Sequence, residues 1–282
     1  IVGFITQPLP IGGVSIVVIT VAALTGTLKI SEGISGFANS AIWLIVGAFL
    51  FSRGFIKTGL GKRIAYNLIS AFGSSSLRLA YALALSDLIL APATPSNTAR
   101  VGGVIMPITT SLAKAFGSEP QDGPRKIGSF LMQSIYQVNT ITSAMFQTSM
   151  AGNTLVAALA LQSFGIGITW GDWAMAAIVP GIIALIIMPY FIYKVYPPEI
   201  KDAREAQQMI REELKGLGKI SFQEWVMLGV FILALVLWAT SQFTKLDATT
   251  VAFLGISILL ATGVLIWDDV KSEKGAWDTL VW

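Results

Sequence analysis

Five stretches of this chain run for about 20 residues or more without one Asp, Glu, Lys or Arg: Ile1–Leu28, Gly33–Ser52, Trp173–Tyr193, Trp225–Thr244 and Ala248–Trp267. A helix rising about 1.5 Å per residue needs about 20 apolar residues to cross a hydrocarbon core about 30 Å thick. Each stretch is therefore read as a spanning helix, and the chain as an all-α, polytopic membrane protein. Trp170 and Trp173 at one helix start, Tyr190, Tyr193 and Tyr196 at its end, and Trp267 further on are placed as interfacial aromatics. Asp172 is expected to cap the helix that follows it. The chain opens at Ile1 inside an apolar run, with no basic segment ahead of it, so no signal peptide is expected there.

Composition narrows the chemistry. The 282 residues are 54% hydrophobic and 12% charged, and include no His and no Cys. Disulfides, thiolates and imidazole catalysis are excluded within them, and no acidic pair in the apolar segments offers water activation, so enzyme readings weaken. The net charge of +3 comes from basic residues between apolar runs. That is the pattern of cytoplasmic loops in a membrane protein, and it speaks for topology and against nucleic acid.

Two regions depart from simple spans. Leu77–Leu90 is apolar for about 14 residues, about 21 Å of helix, and is followed by Pro92 and Pro95 and then by a second apolar arm, Thr98–Ala115. Both arms are expected to enter and leave on one side, as a re-entrant helical hairpin over about 77–115 with its tip near Ser96. Ile127–Gly171 holds no charge but many amides and hydroxyls, Gln133, Asn139, Thr142, Ser143, Gln147, Thr148, Ser149, Asn153 and Thr154 among them. These are expensive against lipid, so they should face protein or a water-filled cavity, on a broken helix over about 127–165 interrupted at Gly152-Asn153. Glu199–Lys219 reads as an amphipathic surface connector, with Lys201 and Glu205 four residues apart. Three units follow: a first transmembrane repeat over 1–196, the connector over 197–222, and the start of a second repeat over 223–282. A weak internal match supports the last, since a shift of 237 positions aligns Val14 with Val251, Ile19 with Ile256 and Thr25-Gly26 with Thr262-Gly263, and a small insertion then brings Trp43 near Trp282. That is the pattern of an inverted-repeat secondary transporter.

The tip carries the most chemistry. In Thr94-Pro95-Ser96-Asn97-Thr98, either Thr94 caps a helix that Pro95 opens, or Ser96 caps one starting a turn later. Both leave a helix N-terminus at the tip, where unpaired N–H groups and the side chains of Ser96, Asn97 and Thr98 suit a carboxylate, and their oxygens suit a cation such as sodium. The bland alternative is a turn whose Ser, Asn and Thr only cap backbone. Arg100 has three roles open to it: a countercharge for a bound dianion, a partner for Asp87, or a side chain reaching to the membrane surface. Asp87 is read as a paired structural charge or a proton relay. At Gly152-Asn153-Thr154, an unwound segment lending carbonyls and side chains to the site stands beside a tolerated kink.

The strings TPSNTARVGGVIMPI and SAMFQTSMAGNTLVAALA, with FANSAIWLIVGAFLFSRGFIKTGLGKRIAYNLI over Phe37–Ile69, resemble the divalent anion/sodium symporter family. The likeness is to its branch of citrate carriers and plastid-type 2-oxoglutarate/malate translocators. The resemblance implies a homodimeric, elevator-like carrier with two inverted repeats, so a second hairpin is expected beyond Trp282. It implies carboxylate contacts from Asn97 and Thr98 and a possible sodium site at Ser96, Asn97 and Gly152. Thr148, Ser149, Gly152, Asn153 and Arg100 are further candidate substrate-site residues. Sodium-coupled members carry a Ser four positions before the motif Ser, where this chain has Pro92, which favours exchange without sodium. The function expected is exchange of di- or tricarboxylates (2-oxoglutarate, malate, succinate or citrate), with sodium-coupled symport of dicarboxylate or sulfate as the alternative and no cofactor. A bacterial inner membrane or a plastid inner envelope is the expected location.

Overall fold

The computed structural model describes residues 2–6 and 8–282. Ile1, where the first charge-free run begins, lies outside the described residues. Among those described, helices account for nearly all regular structure, and the sole β contact is an isolated bridge between Ser75 and Asp202. The chain is an all-α, polytopic membrane protein: four helices, Ser40–Thr58, Ser76–Ala93, Trp170–Val195 and Phe222–Ala239, are long and apolar enough to cross a bilayer.

The first run does not form a single span. It is divided into Val2–Thr6 and Ile11–Leu24, the second 14 residues long. Pro10 takes an extended conformation ahead of Ile11 and cannot continue a helix from before it. Ala248–Ala261 is also 14 residues long. These two helices correspond residue for residue at the 237-position shift. Each ends on a Thr that donates its N–H four residues back, Thr25 to Val21 O and Thr262 to Ile258 O, followed by a glycine at φ 69° (Gly26) or 72° (Gly263). Left-handed backbone at that position is why both exits need Gly. The match continues into the next helix starts, where Glu32 accepts from Lys29 N and Asp269 from Ile266 N, both at 2.9 Å. Beyond that the register loosens: Trp43 donates to Phe37 O and Trp277 to Val270 O.

Helices Ser40–Thr58, Phe222–Ala239 and Ala248–Ala261 form one packed group. Phe51, Phe55, Phe231 and Trp238 fill it with edge-on and tilted ring contacts, and Phe51 lies against Gly255. Trp170–Val195 leans on this group at one end, where Trp170 stacks on Trp238 at 6.0 Å. Its cap is Thr169, not Asp172: Asp172 sits three residues into a capping box, accepting from Thr169 N and Thr169 Oγ1.

Hydrogen bonds tie the start of Ser76–Leu90 and the end of Met106–Ala115 to one strip of chain. Ser76, which opens the first arm, donates its N–H to Lys201 O and its hydroxyl to Ile200 O. Ile200 N donates to Lys126 O, and Lys126 Nζ donates to Gly117 O at the end of the second arm. Both arms thus start and finish beside the same strip of chain, near Arg78, Lys114, Arg125 and Lys126. The first arm is longer than its apolar core indicated. Ser76–Leu90 runs on through a 3-10 turn, Ala91–Ala93, giving 18 residues and about 27 Å of rise. The connector helix is Arg204–Gly216, which buries Ala206, Gln207 and Ile210 against Leu60–Phe72. Lys201 precedes it, and Arg204 pairs with Asp202 rather than along the helix.

Candidate functional site

The turn at the tip is set by Pro92 and Pro95. Leu90 keeps its helical carbonyl partner through the Thr94 hydroxyl, donated to Leu90 O at 3.1 Å, so Thr94 ends the first arm instead of capping the second. Ser96 is the cap: its Oγ accepts from Ala99 N at 3.2 Å. Helix then continues from Asn97–Arg100 through a π-helical turn, Val101–Ile105, into Met106–Ala115. Pro107 lacks an N–H for the preceding turn, and a wider turn accommodates that loss. Ser96 and Asn97 are half-buried and Thr98 is exposed. Asn97 Oδ1 accepts from Thr98 N, and neither the Asn97 amide nitrogen nor the Thr98 hydroxyl has a hydrogen-bond partner among the described residues. A helix N-terminus, its cap and two neutral polar side chains therefore meet at one corner, where Thr98 is exposed.

Beneath that corner lies the broken helix. Its halves are Gly128–Met145 and Ala151–Phe164, so the break falls at Phe146–Met150, ahead of the expected Gly152-Asn153. Phe146 and Met150 are extended, and the helix that resumes carries Gly152 and Asn153 in its first turn. The carbonyls orphaned at the end of the first half are satisfied locally. Asn153 Nδ2 donates to Ser143 O at 2.7 Å and Phe146 O at 2.9 Å, and Ser149 Oγ reaches the same two carbonyls at 2.8 and 2.7 Å. Thr148 Oγ1 donates to Pro92 O at 2.5 Å and accepts from Trp170 Nε1 at 3.0 Å. Ala151 N donates to Pro95 O at 2.9 Å. Tip and break are thereby one assembly. Of the sequence candidates, Ser96 caps the second arm with half-buried Asn97 and exposed Thr98 beside it, whereas Thr148, Ser149 and Asn153 are buried and hold the break in shape.

Arg100 is placed behind the site. Its side chain is 0% exposed and pairs with Asp87, Nε to Oδ1 at 2.8 Å. The remaining four N–H groups reach Thr94 O, Ser149 O, Thr142 Oγ1 and Ser143 Oγ at 3.0–3.2 Å. A guanidinium has five donors, and all five are matched within the protein. None is left for a bound dianion. Asp87 also accepts from Thr142 Oγ1 and Asn139 Nδ2. Among the three roles open to Arg100 in the sequence, the geometry matches the pairing with Asp87. Asn139, Thr142 and Ser143 were legible only as uncharged polar residues; their helical spacing, three and four apart, aligns them on the face that meets Asp87.

A cavity of about 1120 Å³ reaches the break from the other side. Gln147, Thr154 and Trp170 line it next to the break, and Asn39, Gln242 and Asp247 line it among the connecting loops. Those loops lie at the end of Phe222–Ala239 away from the charged connector, opposite the hairpin's base. Water can thus approach the break from that face.

The sodium:sulfate symporter transmembrane region matches residues 1–282 of the chain. The chain belongs to this family. It is the family that the Ser-Asn-Thr tip and the broken helix pointed to. Among its relatives, the putative malate transporter YflS of Bacillus subtilis (strain 168) is 54% identical, covering 100% of this chain and 59% of that protein. The chloroplastic dicarboxylate transporter 1 of Spinacia oleracea is 47% identical, over 100% of this chain and 50% of its own. The inner membrane protein YbhI of Escherichia coli (strain K12) is 43% identical, over 100% and 60%. The chain spans between half and three fifths of the length of these relatives. A transporter family, with bacterial and plastid relatives, agrees with the membrane location read from the apolar runs and with the exclusion of enzyme chemistry.

Proposed function

We propose that this chain is the first repeat, and the opening of an inverted second, of a carrier that exchanges di- or tricarboxylates such as malate, 2-oxoglutarate, succinate or citrate. The observation that carries the reading is the tip: a capped helix N-terminus with Ser96, Asn97 and Thr98, tied by hydrogen bonds to a broken helix whose own polar groups are spent on its shape. Neutral hydrogen bonds and a helix dipole bind a carboxylate without a fixed opposite charge, which leaves the ligand free to depart. The names of the malate and dicarboxylate transporters among the relatives support the substrate class. Thr148, Ser149, Gly152 and Asn153 form the floor of the site, with Gly152 the place where backbone approaches the ligand. A second hairpin completes the site from the rest of the protein, the carrier works as a homodimer, and hairpin and broken helix move together, elevator-like, against the Ser40–Thr58, Phe222–Ala239 and Ala248–Ala261 group.

Exchange is favoured over sodium symport by Pro92, which offers no side-chain oxygen and whose carbonyl already accepts from Thr148. Uptake of labelled malate into liposomes holding the full-length protein tests both points. The expected result is uptake that requires an internal dicarboxylate and is unchanged when choline replaces sodium. Uptake into empty liposomes that depends on sodium would establish the alternative, symport of dicarboxylate or sulfate.

A further inference from the structure

Arg78, Tyr81, Ala82 and Leu85 recur at helical spacing along Ser76–Leu90 and so share one face of it. With Ala71 and Phe72, at the end of the preceding helix Leu60–Phe72, they line an open groove of about 540 Å³. The two alanines leave the space. Phe72 is 56% exposed and Leu85 39%, so two apolar walls stand open to an occupant. Tyr81 supplies a third wall, and its hydroxyl donates to Ile186 O at 2.5 Å, which ties the side chain to Trp170–Val195.

The groove has a charged end and an apolar end. Arg78 stands beside the strip where Ser76 meets Ile200 and Lys201, and Leu85 lies about 10 Å of helix rise further along the arm. Charged residues gather at a bilayer's surface, so Arg78 sits at headgroup level and Leu85 within the hydrocarbon. Among the described residues no carboxylate pairs with Arg78; one Nη donates to Ser74 Oγ at 3.2 Å, and the rest of the guanidinium fork is free. Its neighbours are engaged: Arg204 pairs with Asp202, Arg211 donates to Ser70 O, and Lys126 donates to Gly117 O. A cation in the first turn of a helix is also opposed by the dipole, so the charge does nothing for the helix that carries it.

We infer that the groove holds one phospholipid with a net negative headgroup, from the leaflet on the side of the charged strip. Its phosphate lies on Arg78, whose planar fork suits phosphate oxygens, and an acyl chain runs between Phe72, Tyr81 and Leu85. Other basic side chains of the strip, Lys114 and Arg125 among them, disfavour a headgroup ammonium and so select the anionic lipid. A free anion would use Arg78 alone and leave the apolar walls uncovered. The inference does not depend on what the protein transports.

The test uses the full-length protein in detergent, titrated with palmitoyl-oleoyl phosphatidylglycerol or with the phosphatidylcholine of the same chains, and bound lipids are counted by native mass spectrometry. The unaltered protein retains phosphatidylglycerol more tightly than phosphatidylcholine. Arg78→Gln weakens that lipid about 5- to 10-fold, as expected for one charged phosphate contact, and abolishes the preference. Ala71→Trp fills the groove and weakens both lipids. Lys114→Gln, the same loss of charge elsewhere on the strip, changes neither. All three positions are exposed, so the substitutions leave the core untouched. Inorganic phosphate does not displace the lipid. Displacement by phosphate would make Arg78 a site for free anions and overturn the inference. Equal retention of the two lipids, or an equal loss in Lys114→Gln and Arg78→Gln, would reduce the effect to surface charge and overturn it too. So would an Arg78→Gln protein that binds phosphatidylglycerol as before, the result expected if another segment of the full-length protein fills the groove.

Discussion

Thr148 shows how much of the site is long-range. Its hydroxyl serves Pro92 O, 56 positions away, and Trp170 Nε1, 22 positions away, and both partners are buried with it. In the sequence it is one more hydroxyl in an uncharged polar run, indistinguishable from Thr140, which merely bonds back to Tyr136 O on its own helix. Local pattern shows that such groups need partners and says nothing of which partner is reached. Thr148→Val keeps shape and leaves a carbonyl and an indole N–H unpaired, which costs about 2 kcal/mol. Thermal unfolding of the purified protein in detergent should show a lowered Tm; an unchanged Tm would mean that neither partner depends on the hydroxyl. Arg100 makes the same point from the other side: the sequence displays its charge beside Asp87 but cannot display the five oxygens that use up its donors.

At the level of elements, lengths and ends were read with different success. Charge-free runs located the helices Trp170–Val195 and Phe222–Ala239 because hydrocarbon thickness fixes how many apolar residues a span needs, whereas the run Ala248–Trp267 yields only the 14-residue helix Ala248–Ala261. Ends were missed wherever a local bond decides: Thr169 takes the cap from Asp172, and the helix break moves to Phe146–Met150 because Asn153 and Ser149 reach back to the stranded carbonyls. Two predictions belong here. A Cβ on Gly255 would lie 2.4 Å from the ring of fully buried Phe51 and 3.2 Å from Val230. A ring enclosed on all sides cannot retreat, so Gly255→Ala should destabilise the protein by about 1–3 kcal/mol, read as a lower midpoint of unfolding. Helix Trp267–Ser272 is tied to Ser40–Thr58 through Asp269, which meets Lys57 Nζ at 2.5 Å. Burial pushes the Asp269 carboxyl up, but the hydrogen bonds from Lys57 and Ile266 N–H and the charges of Lys57 and Arg53 outweigh it and hold the group below its ordinary 3.8. A lowered folded value means that the contact adds stability above the ordinary value and loses it as pH falls through the lowered one. Asp269→Asn should therefore lower Tm near neutral pH, with the difference from the unaltered protein vanishing in strong acid.

Across the whole molecule, the chain organises itself around one division: a packed aromatic group on one side and a hairpin bound to a broken helix on the other. The sequence showed the helices of the first part by apolar length, and the broken helix of the second by polarity without charge. It did not announce their joint, a stack of Phe146, Trp170 and Trp238 that passes from the break to the scaffold. Aromatic residues near a span's end look interfacial in sequence, and only packing shows that Trp170 turns inward. If the tip binds carboxylate, the Asn97 amide should matter to affinity more than to folding, because its nitrogen makes no hydrogen bond to the described residues. Counterflow of labelled malate into liposomes loaded with 2-oxoglutarate, with full-length protein and its Asn97→Ala variant compared, measures this directly. A hydrogen bond to a charged group is worth about 1.5–3 kcal/mol, or roughly tenfold or more in affinity. The account predicts transient accumulation of label by the unaltered protein and a KM raised by about that factor in the variant. No accumulation by the unaltered protein, or an equal KM in both, would contradict it.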